Sequence, residues 1–216
     1  MNNIYPNPQV ILAPVYKNDC LQAVFRAVQA GRCAHVLGPR FRSKSALMLA
    51  AAQTLQEHGT HNVYYFSMRD MPNLRQESFI VKLSTDLMLV SEADLYAGLY
   101  GRLHRELFPM DTPIHTDLMQ TAREFREGME MMIRRLDRPL VLFMDNLNDA
   151  PPNVVLSLLN TLADVYTAVA QNSGPQFQAV IGGALNLHEG NYSAPTRFLQ
   201  VSQLVWIHDL DEDERQ

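Results

Sequence analysis

Ala34-His35-Val36-Leu37-Gly38-Pro39-Arg40-Phe41-Arg42-Ser43-Lys44-Ser45 joins a short apolar run to a turn, and the turn to a long stretch with apolar residues at helical spacing. The phosphate-cradling pattern G-x-x-x-x-G-K-[ST] is met at Gly38, Lys44 and Ser45, while Ser43 stands where its second glycine belongs. Backbone N–H groups around such a turn, and at the N-terminus of the helix it opens, point inward and carry partial positive charge. In that geometry Lys44 reaches the β and γ phosphates. The Ser45 hydroxyl offers Mg2+ a hard oxygen donor. Pro39, Arg40, Phe41 and Arg42 complete the turn, and its two arginines add positive charge.

Reading outward, Asp19 caps a first helix whose Leu21, Val24, Phe25 and Val28 share a face and which Gly31 closes. Ala46, Leu47, Leu49, Ala50, Ala51 and Leu55 form the helix after the turn, ending at Gly59. Asn62 to Met68 is rich in aromatic and β-branched residues and reads as a strand with Arg69-Asp70 at its end. Residues 76–107 repeat Phe79, Ile80, Leu83, Leu87 and then Leu95, Leu99, Leu103, Leu107 at helical spacing. A further helix runs from about Thr116 to Leu136, burying Phe125, Met129 and Ile133.

Arg138-Pro139-Leu140-Val141-Leu142-Phe143-Met144-Asp145-Asn146 is the second informative stretch. Five consecutive apolar residues predict a strand covered on both faces, and the acid at its carboxyl end matches a Walker B arrangement. Asp145 then holds magnesium through water, opposite Ser45. Asn153 caps a long helix after Pro151-Pro152. Gln178 to Gly183 and Leu204 to Ile207 are the remaining buried strands. Alternating strands and helices predict an α/β, three-layer αβα sandwich with a mainly parallel sheet.

At 216 residues the chain suits a single domain, with residues 1–18 as an N-terminal extension. Eighteen basic against 23 acidic residues give a net charge of -5, which weighs against a chain-wide nucleic-acid footprint. Cys20 and Cys33 lack neighbours at zinc-ligand spacing and read as buried thiols. His58 and His61 straddle a turn with no carboxylate in register, which does not make a metal site. Met1 to Pro8 shows no basic region followed by an apolar core and no run approaches eighteen apolar residues, so the expected compartment is the cytoplasm.

The chain resembles the AAA-like domains of bacterial signal-transduction NTPases, the STAND branch of P-loop proteins related to the origin-recognition ATPases. The resemblance is carried by Leu21 to Val28, Val36-Leu37-Gly38-Pro39-Arg40 with Lys44-Ser45, Leu142-Phe143-Met144-Asp145, Ala179-Val180-Ile181-Gly182-Gly183 and Trp206-Ile207-His208-Asp209-Leu210. It implies a sheet in P-loop order, ATP or ADP with Mg2+, and a switch role within a larger signalling or assembly protein that binds protein partners or itself. Membrane and nucleic acid are not among the expected partners.

Three departures shape the mechanism that the resemblance implies. Ser43 replaces a glycine, Asn146 stands where the family carries the glutamate that activates water, and the helical lid that follows the last strand is not visible. An amide orients water but cannot take its proton near neutral pH, so hydrolysis is expected to be slow or absent. Should hydrolysis be ordinary, Asp149 or Asp70 would have to be the base. Asn186, after the Gly182-Gly183 strand, is the candidate sensor, and Arg197 a candidate finger acting in trans. Two other readings stay open: a P-loop relic that serves as a protein-interaction scaffold, and a DNA-associated ATPase.

Overall fold

The computed structural model describes residues 18–38, 44–67, 118–149, 152–171, 176–183 and 196–207. In chain order the elements are α1 (Asn18–Gln29), β1 (Cys33–Leu37), α2 (Lys44–His58), β2 (Asn62–Ser67), α3 (Leu118–Ile133), β3 (Leu140–Asp145), a 3-10 turn (Leu147–Asp149), α4 (Pro152–Ala170), β4 (Phe177–Gly182), α5 (Phe198–Val201) and β5 (Ser202–Trp206). The five strands form one parallel sheet in the order β2-β3-β4-β1-β5.

Helices cover both faces of this sheet except at the edge strand β5, where Leu204 and Trp206 are exposed. Every residue of β1, β3 and β4 is buried, including the polar His35 and Gln178. One core cluster joins Ala34, Val36, Val63, Val141, Phe143, Val180 and Val205 to Val24 and Val28 of α1 and to Leu47, Met48, Ala51 and Leu55 of α2. The other joins Tyr64, Phe66, Leu140, Leu142, Met144, Phe177, Ala179 and Ile181 to Phe125, Met129 and Ile133 of α3 and to Leu158, Leu159, Leu162 and Val165 of α4. Strand residues alternate strictly between the two clusters, because successive side chains leave a strand on opposite faces. This is the three-layer αβα sandwich.

Local chemistry explains the element ends. Gly31 adopts φ 69°; its N–H donates to Val28 O and that of Arg32 to Ala27 O, both at 2.9 Å. These are the paired bonds of a Schellman cap. At the amino edge of β2 and β3, Asn62 Nδ2 donates to Arg138 O at 3.1 Å and Arg138 Nη1 to Gly59 O at 2.9 Å, which ties the two strand entries together.

Three sequence expectations shift. Helix α1 begins at Asn18, so Asp19 lies inside its first turn rather than ahead of it. Helix α4 begins at Pro152, so Asn153 is not its cap; proline, which lacks the N–H that would go unsatisfied there, opens the helix. The short helix α5, not anticipated, leads directly into β5. The helical spacing of 76–107, Arg69-Asp70 and the acidic stretch 209–214 lie outside the described residues. Among the described residues no helix is long and apolar enough to cross a membrane.

Candidate functional site

Parallel strands present their carboxyl ends along one edge, and there the chain gathers its chemistry. The first buried strand, β1, ends at Leu37, and α2 opens at Lys44. Lys44 is buried, and its Nζ donates to Gly38 O at 3.1 Å, back to the start of the same turn. Burial pulls its pKa below the ordinary lysine value, and the negative charge of Asp145 opposes that fall. Ser45, the next residue, is exposed at the helix start. A Cβ on Gly38 would lie 2.9 Å from Ile207 O, so the chain leaving β5 crosses the turn where only glycine leaves room.

Asp145 ends β3 in the middle of this edge, with 2% of its surface exposed. A carboxylate that buried needs donors, and three are supplied. The Asn146 backbone N–H reaches Oδ1 at 2.8 Å, Asn146 Nδ2 reaches Oδ2 at 3.0 Å, and Tyr65 Oη reaches Oδ2 at 2.9 Å. Asn146 holds φ 57°, a left-handed conformation that asparagine tolerates better than most residues. That bend folds its amide over the carboxylate, where Nδ2 also donates to Ser67 Oγ at 3.1 Å.

Gly182, across from Asp145 on β4, completes the wall. A Cβ there would collide with Met48 Sδ of α2 and would sit 3.5 Å from Asp145 Oδ1. Alternation along the strands places Tyr65, Ser67, Asp145 and Gly182 on the face that α2 covers, so Lys44 and Asp145 meet on one side of the sheet. Lysine charge, a serine hydroxyl and a buried carboxylate make a donor set for an anion and a hard cation together. Hard oxygens alone suit Mg2+. Among the described residues no three His, Cys, Asp or Glu side chains gather as a metal site of another kind would require.

The structure therefore brings together Gly38, Lys44, Ser45, Asp145 and Asn146. Pro39, Arg40, Phe41, Arg42, Ser43 and Asn186 lie outside the described residues. Arg197 does not join the group. It precedes β5, whose first residue Ser202 pairs with Cys33 at the amino end of β1, and its Nη1 contacts Asp164 Oδ1 at 2.6 Å. Cys33 is buried, its thiol pushed up to about 12 by burial despite an N–H bond from Ala179, whereas Cys20 is only half-buried.

Tyr65 and Ser67 are the residues that sequence reasoning missed. Period-two alternation through Asn62–Ser67 puts positions 63, 65 and 67 on one face. Only the register, which pairs Ser67 with Asp145 and Tyr65 with Phe143, reveals that Tyr65 meets the carboxylate and Ser67 the amide beside it.

A comparison with protein families finds no match, and one with curated proteins finds none either. Solved structures do match. A Walker-type ATPase of Pyrococcus abyssi superposes with a TM-score of 0.50 at 16% identity, over 92% of this chain and 55% of that one. The Aeropyrum pernix ORC1 protein in complex with DNA gives a TM-score of 0.51 at 10% identity, over 89% of this chain and 44% of that one. The α/β fold is the one that these two structures share with this chain. The chain spans about half the length of both.

Proposed function

We propose that this chain binds ATP or ADP with Mg2+ through Gly38 to Ser45 and Asp145, and that it works as a nucleotide-dependent regulatory switch of the STAND or AAA-like kind. The observation that carries the reading is the juxtaposition of Lys44 and Asp145 at the carboxyl edge on one face of the sheet, one opening the helix after the turn and the other ending β3, with β4 between β3 and β1. Lys44 compensates phosphate charge. Ser45 and Asp145 would hold the cation, which when bound neutralises phosphate oxygens. Asn146, an amide committed to Asp145 and Ser67, offers no proton acceptor of carboxylate strength, so turnover is slow or absent. The Walker-type ATPase likeness of the fold supports this reading.

Protein partners or self-association would transmit the switch, within a single domain spanning 1–216. The ORC1 structure is bound to DNA, and a net charge of -5 weighs against the same use here. Melting temperature tests the proposal. Ligand at a hundredfold excess over its Kd stabilises by about 2.7 kcal/mol, a rise of roughly 5 to 11 °C for a domain of this size. The rise should appear with ATP and Mg2+ and vanish in Lys44→Ala. A shift that survives Lys44→Ala would place the nucleotide elsewhere, and a salt-sensitive duplex-DNA complex would favour the DNA-associated reading.

A further inference from the structure

The hydroxyl of Tyr65 lies between the two elements that carry the candidate cation ligands. It donates to Asp145 Oδ2 of β3 at 2.9 Å and stands 3.5 Å from the backbone carbonyl of Ser45 in α2. A phenol has one proton, and the shorter, charged acceptor takes it. We propose that Tyr65 is a positioning residue that fixes the Asp145 carboxylate against the first turn of α2 and so sets how strongly the site takes Mg2+. This rests on the nucleotide-binding reading above.

Counting acceptor positions supports the assignment. An ionised carboxylate offers about four lone-pair directions, two on each oxygen. Oδ2 receives both Tyr65 Oη and Asn146 Nδ2, and is filled. Oδ1 receives only the Asn146 N–H among the described contacts, and beside it Gly182 carries no side chain. One acceptor direction is thus left on Oδ1 among the described contacts. The terminal torsion of an aspartate is broad, so the donors on Oδ2 decide where that direction points. Asn146 follows Asp145 in the chain, and its amide reaches the neighbouring strand only at its last residue, Ser67. Tyr65 is the donor that references the carboxylate to the neighbouring strand and the helix above it.

Removing one oxygen tests this. In Tyr65→Phe, calorimetry of ATP binding across a Mg2+ titration should show the Mg2+ concentration for half-maximal tightening rise by about tenfold to a hundredfold, the worth of a charge-assisted hydrogen bond. Affinity for ATP in EDTA should stay within about twofold of wild type. A merely structural tyrosine would lower both affinities alike. That result, or an unchanged Mg2+ dependence in the folded variant, overturns the inference while leaving nucleotide binding intact. A wild type that binds no nucleotide at all overturns it together with the reading beneath it.

Discussion

Asn146 holds φ 57° while its side chain serves Asp145 and Ser67, so two separate properties are written into one position. They can be separated by substitution. Asn146→Gly keeps the backbone and loses the amide, whereas Asn146→Ala loses the amide and adds left-handed strain of about 1 kcal/mol. Asn146→Glu adds that strain and a second carboxylate beside Asp145. The melting temperature should fall in the order wild type, Gly, Ala, Glu. If Ala melts above Gly, the backbone bend is not what selects asparagine. Asn146→Glu should nonetheless release more phosphate from ATP than wild type, because it alone supplies a base.

Lys44 carries a pH signature. Burial lowers its folded-state pKa, so the charged lysine destabilises the fold below that value. The penalty disappears as pH rises through the lowered value towards 10.5, the unfolded one. Bound phosphate favours the charged form and raises the pKa again. Nucleotide affinity should therefore be flat around neutrality and weaken in the alkaline range, and Lys44→Arg should remove that alkaline loss. An equal loss in both proteins would assign it to another group. Lys44 and Asp145 were legible as a pair because turn chemistry and a strand-ending acid are local signals. Tyr65 was not, because its role depends on strand register.

At the scale of elements, buried strands and amphipathic helices were the legible part, since β3 is apolar from Leu140 to Met144 and α3 repeats Phe125, Met129 and Ile133 on one face. Caps were less so. Several residues near a helix start can donate or accept, and Pro152 took the position that Asn153 also suited. The close approach of α2 to β4 makes Gly182 a test of the packing. Gly182→Ala must displace the buried Met48 thioether, an overpacking cost of about 1 to 3 kcal/mol, or roughly 2 to 12 °C. Gly59→Ala, where a Cβ meets nothing within 4 Å, should cost only the backbone strain of about 1 kcal/mol. Equal losses would show that Met48 yields freely.

For the whole molecule, the order β2-β3-β4-β1-β5 sets β4 between the strand ending in Asp145 and the strand feeding Lys44. That arrangement leaves Gly182 as the floor between acid and base. Alternation of strands and helices predicted a parallel sheet but no strand order, which depends on crossovers that no local pattern records. The proposed switch also belongs to this scale, and it requires nucleotide to be held first. Equilibrium dialysis of labelled ATP with Mg2+ against wild type and Lys44→Ala tests that requirement most directly. About one equivalent should be retained by wild type and little by Lys44→Ala at the same free ligand; no retention by folded wild type, or equal retention by both proteins, would contradict it.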